Sequence, residues 1–162
     1  LNGLNILMNE EQSFVHTMSN HNCPETTCEQ LFKNIITDKA LSEFNGLVYV
    51  APHAQKTDSS QSNKNLLLSD SARAISRPQL KINADDVLCA HGADIGQLDD
   101  TILFYLESRG LSVPEAKALI LKGFMQEVIY KVQNKSIQNT IMDSFNGILT
   151  NLISKLLDGI NE

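Results

Sequence analysis

The sequence contains no tryptophan, few aromatic residues (6%) and only three cysteines among 162 residues. Three cysteines, an odd number, do not make a disulfide framework, and this favours a reducing compartment. No apolar run approaches the ~20 residues that a membrane-spanning helix needs. Residues 1–3 carry neither an initiator methionine nor the basic start of a signal peptide. We therefore expect the chain to be a piece of a longer protein.

Positive charge is also scarce. The 13 Lys and Arg residues against 19 Asp and Glu residues give a net charge of -6 without a basic patch, which argues against a nucleic-acid partner. The phosphate-binding motif GxxxxGK(S/T) is absent, so any ATP chemistry would belong to a partner. The hydrophobic (42%) and charged (20%) contents are ordinary for a soluble globular chain, and its length is sufficient for a hydrophobic core.

The first half of the chain carries short apolar runs between polar turns. Runs such as residues 47–50 and 66–68 favour strands over helices. Residues 51–64 are polar and serine-rich, and they are predicted to form a loop or a loosely held strand connection. No intervening helices create βαβ units, so a sandwich, a barrel or a right-handed β-helix would satisfy the pattern. No exact internal repeat is visible to favour a solenoid.

The pattern becomes helical from Asp99, which can cap a short helix that stops at Gly110. Residues 112–115 form a capping box with proline in the first turn of a second helix, expected to end near Val132. A third helix, about 136–158, is predicted to be a core or partner-binding helix. Its apolar stripe consists of Ile137, Ile141, Phe145, Ile148, Leu149, Leu152, Ile153, Leu156 and Ile160.

Cysteine and histidine come within two residues of each other only at Cys89 and His91. In a strand, Val87, Cys89 and His91 would share one face. The strand rise would then place Cys89 and His91 ~7 Å apart. A thiolate and an imidazole both suit iron or an iron–sulfur cluster. A cluster usually takes about four protein ligands, so the others would come from another chain. Alternatively, Cys89 is a small apolar core residue and His91 packs or hydrogen-bonds at a subunit contact.

A second cysteine pair, Cys23 and Cys28, has His16 and His21 nearby. The spacing between the cysteines would suit zinc or iron, but metal sites of this kind usually have a second ligand pair behind the first. The sequence has no such pair, which favours incidental cysteines in a turn.

Adjacent carboxylates occur at Asp85-Asp86 and at Asp99-Asp100. They suggest acid/base catalysis, as in a carbohydrate-active β-helix enzyme. Neighbouring residues of a strand point to opposite faces, however, which is poor geometry for shared chemistry. Asp99 is better explained as a helix cap, so this enzyme is the least favoured function.

Three segments resemble the C-terminal core of the SufB/SufD family. They are AQKTDSSQSNKNLLLSDSA at 54–72, RPQLKINADDVLCAHGADIGQLDDTILFYLESRGL at 77–111 and AKALILKGFMQEVI at 116–129. The His91-Gly92 pair after Cys89 resembles the SufD branch more than the SufB branch. The resemblance implies a mainly β fold with C-terminal α structure. Residues 1–95 would form the end of a right-handed parallel β-helix, and residues 96–162 a small helical domain.

The resemblance also implies a function, that of a non-catalytic scaffold subunit of the SUF (SufBCD) system for iron–sulfur cluster assembly. Such a subunit pairs with a SufB-like subunit through the β-helix ends, where His91, with Cys89 as a plausible second ligand, would handle transient iron or a cluster. A SufC-like ABC ATPase would dock on the helical domain near Phe104, Tyr105 and Arg109. One alternative is a purely structural adaptor that organises the ATPase through residues 99–132, with His91 only packing. For the helical region itself, the alternative is that Phe104 packs in the core and Arg109 lies at a helix C-terminus.

A SUF subunit is expected in a plastid-type stroma, of an apicoplast or a chloroplast, or alternatively in the bacterial cytoplasm. The asparagine-rich composition is typical of an AT-rich genome and does not separate the two. A β-helix end exposed in a fragment is a free sheet edge, through which two copies of the chain could form a homodimer.

Overall fold

The computed structural model describes residues 1–158, with side chains as far as Lys155. Two compact units are present, Leu1–Gln97 and the part from Leu98 onward. Seven strands make the first unit. They are β1 (Asn2–Leu7), β2 (Gln12–His21), β3 (Thr27–Ile36), β4 (Leu41–Val50), β5 (Asp58–Leu67), β6 (Arg73–Ile82) and β7 (Leu88–Gln97).

The strands alternate between two parallel sheets. One sheet has the order β1-β3-β5-β7 and the other the order β2-β4-β6. Each coil therefore contributes one strand to each sheet, and the next coil stacks on it with all strand pairs parallel. The predicted parallel β-helix is confirmed. In the strand register, Asn2 pairs with Leu31, Thr27 with Asp58, and Asp58 with Leu88. From these pairings we estimate a repeat of about 30 residues per coil.

The corners of the β-helix repeat with the strands. Asn9 and Asp38 occupy equivalent turns and both have a left-handed backbone, with φ of 58° and 55°. Glu25 and Lys56 do the same at the opposite corner, each with φ of 58°. Non-glycine residues adopt this region only occasionally, so equivalent corners share a backbone conformation although their side chains differ. This explains why no exact repeat is visible in the sequence.

Polar side chains fill the interior of the sheet that contains β3 and β5. Asn5 Nδ2 donates to Asn34 Oδ1 at 2.9 Å, and Asn34 Nδ2 donates to Asn65 Oδ1 at 2.7 Å. Each amide thus finds its partner one coil away, where the strand spacing is ~4.8 Å. The prediction of a loop over residues 51–64 is wrong for its second half, because β5 begins at Asp58 and alternate polar residues of it, such as Gln61 and Asn63, are buried.

Apolar side chains fill the rest of the interior. Phe32 and Phe44 lie across from each other on the two sheets, with ring centroids 5.0 Å apart. One apolar cluster occupies the corner after β4 and contains Val48, Val50, Ala51, Ala54 and Ala84. A second cluster at the other corner contains Leu7, Ile36, Ala40 and Ala72. The small alanines suit tight corners, where a larger side chain would overpack.

The second unit contains three helices, α1 (Asp100–Ser108), α2 (Val113–Ile129) and α3 (Lys135–Asp158). As predicted, Asp99 caps α1, with Oδ1 accepting from the Thr101 N–H at 2.8 Å, and Gly110 has a left-handed φ of 93° after it. The helix α2 ends at Ile129, three residues before the predicted Val132.

The predicted capping box is present at the start of α2. The hydroxyl and the backbone N–H of Ser112 both donate to Glu115 Oε2, at 2.6 Å and 2.8 Å. These two hydrogen bonds, of which the one from the hydroxyl has the larger effect, hold the pKa of the Glu115 carboxyl below its usual value.

The last helix, α3, packs against α2 and begins after Asn134, whose Oδ1 accepts the N–H groups of Ser136 and Ile137. From its predicted apolar stripe, Leu149 and Leu152 are buried. The side chain of Leu156 and all of Ile160 lie outside the described residues.

The amide ladder predicts a large cost for removing its middle member. We expect Asn34→Ala to lower the free energy of unfolding by about 2–4 kcal/mol, because Asn5 Nδ2 and Asn65 Oδ1 both lose their buried partner. The matched control is Asn45→Ala, since Asn45 Oδ1 accepts from Gln79 on an exposed face. It should cost less than about 1 kcal/mol. Urea unfolding of both variants measures the difference, and equal losses would contradict the stabilising role of the ladder.

Candidate functional site

The candidate site lies on β7, the last strand of the β-helix. Among the strands that the structure describes, β7 pairs with β5 alone, so its other edge carries no strand. We call the end of the β-helix formed by β6 and β7 the open end. Such an edge presents unpaired backbone N–H and C=O groups to another chain.

Cys89 and His91 occupy the same face of β7. In the register Cys89 pairs with Ser59 and His91 with Gln61, and both of these β5 residues are buried in the interior. Side chains at paired positions of a sheet point to the same face, so Cys89 and His91 lie on the interior face of the last coil. We expected them to face a neighbouring protomer rather than their own interior. Their strand face is the interior one, but His91 is exposed at the open end. Contact of either side chain with another protomer stays a prediction.

Cys89 is partly buried against the apolar cluster that contains Val48 and Ala84. Burial raises the pKa of its thiol above the usual value, a backbone hydrogen bond from Ser59 opposes the shift, and the charge of Asp58 adds to it. The protonated thiol is therefore favoured at neutral pH. Because the thiolate is the metal-binding form, a metal bound here would displace a proton.

Two buried polar atoms lie one coil beneath this pair. The Oγ of Ser59 and the Oε1 of Gln61 have no hydrogen-bond partner in the protein. Sequence reasoning missed both residues, because it assigned residues 51–64 to a loop. Every residue from Ser59 to Asn65 is polar, so the sequence carries no polar–apolar alternation that would indicate a strand here.

The second predicted cluster does not converge on one point. Cys23 is exposed in a turn, and His16 is exposed on β2. Cys28 Sγ lies 3.3 Å from Ser19 Oγ, and His21 Nδ1 lies 2.7 Å from Thr26 Oγ1. Over residues 1–158, no three His, Cys, Asp or Glu side chains come together as metal ligands.

The paired carboxylates serve local structure. Asp85 and Asp86 are exposed in the turn before β7, where the Asp86 N–H donates to Gln55 Oε1 at 2.9 Å. Asp99 caps α1 and Asp100 lies in its first turn. These positions give no support to a carbohydrate-active enzyme.

The predicted partner-binding residues lie on or just after α1. Phe104 is 73% exposed and Tyr105 is 55% exposed, so the alternative that packed Phe104 in the core is wrong. The Arg109 guanidinium lies 5.2 Å from the centroid of the Tyr105 ring, a cation–π distance.

Comparison with known proteins tests the resemblance. Residues 1–124 match the family model described as SUF system FeS cluster assembly, SufBD core domain. The chain belongs to the SufB/SufD family. The candidate site of this SufD-like chain lies within the matched residues, as does α1 with Phe104 and Tyr105.

Curated relatives agree with this assignment. The iron–sulfur cluster assembly protein SufD of Escherichia coli is 37% identical over 142 residues, which are 88% of this chain and 34% of that protein. The SufBD family protein slr0076 of Synechocystis is 38% identical over 138 residues, 85% of this chain and 30% of that protein. Protein ABCI7, chloroplastic, of Arabidopsis thaliana is 33% identical over 150 residues, 92% and 32% respectively. This SufD-like chain thus spans about a third of the length of the curated relatives it matches.

Within the described residues, no helix combines the length and apolarity needed to cross a bilayer.

The environment of Cys89 predicts its reactivity. At pH 7 we expect iodoacetamide to alkylate the exposed Cys23 well before Cys89, because burial raises the pKa of the Cys89 thiol and restricts access to it. The Cys89 rate should rise as the pH approaches the raised pKa. Peptide mass spectrometry over a pH series measures both rates in one sample. Alkylation of Cys89 at pH 7 as fast as that of Cys23 would contradict the assigned environment.

Proposed function

We propose that this SufD-like chain is part of a non-catalytic scaffold on which iron–sulfur clusters are assembled, and that β7 is where it meets a SufB-like subunit. One observation carries the proposal. The two side chains suited to iron or a cluster, Cys89 and His91, share a face of the strand whose free edge is the open end. A ligand pair and a free sheet edge therefore coincide on the same ten residues.

The number of donors supports an interface rather than a closed site. Cys89 and His91 supply two ligands, whereas a cluster usually takes about four, and no third metal-ligating side chain of the described residues joins them. The remaining donors would come from the partner chain. Iron or a nascent cluster would then be cargo held between two subunits and released when they separate, which suits transient assembly better than permanent binding.

The free edge of β7 also supports pairing with another β-helix. Parallel sheets expose backbone hydrogen-bonding groups at their edges, and a second strand satisfies them. In the absence of the SufB-like subunit, the same edge would pair two copies of this chain as a homodimer. The exposed apolar residues Leu88 and Ile95 on β7 would be covered in either pairing.

The helical unit would bind a SufC-like ABC ATPase. Phe104 and Tyr105 are large side chains that remain exposed on one short helix, and aromatic residues and arginine are enriched in protein interfaces. ATP chemistry belongs to that partner, because this sequence has no phosphate-binding loop. A plastid stroma, or alternatively the bacterial cytoplasm, is the proposed location. The relatives include a protein named chloroplastic and bacterial proteins.

Replacement of His91 tests the proposed site. We expect His91→Ala to reduce cluster formation several-fold when the complete protein is co-expressed with its SufB-like and SufC-like partners, because one ligand at the interface is lost. Iron and sulfide content of the purified complex, with the visible absorption of the cluster, measures the effect. The control is His16→Ala, since His16 is exposed on β2. Unchanged cluster content in an intact His91→Ala complex would show that the site is assigned wrongly.

A purely structural adaptor is the second candidate, since the exposed Phe104 and Tyr105 could dock the ATPase whether or not β7 holds a metal. We expect the double change Phe104→Ala with Tyr105→Ala to weaken capture of the SufC-like ATPase by at least about tenfold, as for interface aromatics. Tyr130→Ala is the matched control, because Tyr130 is 61% exposed at the end of α2. Normal ATPase capture by the double variant would remove α1 from the docking surface. ATPase capture without any dependence of clusters on His91 would favour the adaptor.

A further inference from the structure

A column of amide side chains leads through the interior to His91. The register pairs Gln30 with Gln61 and Gln61 with His91, so the three residues lie at the same position of successive coils of one sheet. Gln30 and Gln61 are 1% and 2% exposed. The imidazole is thus the last member of a buried polar column, and it is the only one of the three that reaches the surface.

The amide of Gln61 is held in a fixed orientation. Its Nε2 donates to Gln30 Oε1 at 3.3 Å. Gln30 is fixed in turn, because its Oε1 accepts from Thr17 Oγ1 at 3.0 Å and its Nε2 donates to Ser19 Oγ at 2.9 Å. On the opposite sheet, a Cβ at Gly46 would lie 2.3 Å from Gln61 Nε2. The glycine therefore leaves the space that the amide occupies.

Because the Nε2 of Gln61 is hydrogen-bonded, Oε1 is the remaining polar atom of its side chain. This oxygen is buried and has no partner among protein groups. Buried acceptors of this kind are rare, and each one calls for an explanation. The next coil up the column supplies the imidazole of His91, which carries an N–H and belongs to an exposed side chain.

We propose that Gln61 is the positioning residue of His91. Its Oε1 accepts a hydrogen bond from one ring nitrogen when His91 turns inward, which selects a single neutral tautomer. The other ring nitrogen then presents its lone pair at the open end. Histidines that bind metals commonly donate their second N–H to such an acceptor, and loss of that acceptor weakens metal binding about tenfold to a hundredfold. This inference rests on the proposed function only in assuming that His91 binds a metal. The tautomer of the His91 ring can be measured without any metal.

The test uses Gln61→Met, which keeps the length of the side chain and removes the oxygen. In metal-free complete protein labelled with ¹⁵N-histidine, at a pH where histidines are neutral, we expect the His91 ring nitrogens to report one tautomer. In Gln61→Met their shifts should move toward those of exposed His16 in the same spectrum. Gln30→Met is the matched control, one coil further from His91. It leaves Gln61 Oε1 in place and should shift the His91 signals less than Gln61→Met does. Gln61→Glu retains an oxygen acceptor and should preserve the single tautomer.

A second measurement uses Co²⁺ as the probe in the complex with the SufB-like partner. We expect Gln61→Met to weaken His91-dependent Co²⁺ binding about tenfold to a hundredfold, and Gln30→Met to change it less than about threefold. Identical His91 shifts in Gln61→Met and wild type would overturn the inference, as would an equal effect of Gln30→Met. If Co²⁺ binding proves independent of His91 while the ring shifts respond to Gln61→Met, the proposed function fails and the positioning role stands.

Discussion

The stacking of parallel strands in register, one coil every ~4.8 Å, is the constraint on which the rest of the structure depends. It places equivalent side chains in columns, so that an interior amide meets its hydrogen-bond partner in the next coil. Asn5, Asn34 and Asn65 satisfy one another in this way. Buried amides without partners would be strongly destabilising, so the same ladder that permits a polar interior also favours the observed register of β1, β3 and β5.

The interior side chains form columns along the stacked coils, so the surroundings of the last coil's side chains differ from those of earlier coils. Among the strands that the structure describes, the inward side chains of the last coil have a coil below and none above, and this is the position of Cys89 and His91 on β7. A position that would be buried in any earlier coil is here exposed beside an unpaired sheet edge. The family to which the chain belongs, described by iron–sulfur cluster assembly, suits the proposed site, which would become complete only when another subunit covered it.

Structural features set by neighbouring residues could be predicted from the sequence, whereas features set by contacts between distant residues could not. The cap at Asp99 and the capping box at Ser112 and Glu115 act within one helical turn, and alternation along one strand was enough to place Cys89 and His91 on a common face. The β-helix itself came from the resemblance, because periodicity left three β architectures open. In the sequence, residues such as Gln61 look like part of a solvent-exposed loop. A buried amide at this position is satisfied only by stacking between strands about 30 residues apart, and such stacking is not visible in a local segment.

Hydrogen exchange of the β7 amides tests the central claim most directly, namely that the open end is the surface on which the functional assembly forms. The measurement compares the complete protein, diluted until it is monomeric, with its complex with the SufB-like subunit. We predict that exchange over Leu88–Gln97 slows on complex formation, while exchange over Gln12–His21 stays the same. A complex that forms with unchanged exchange across β7 would contradict the account.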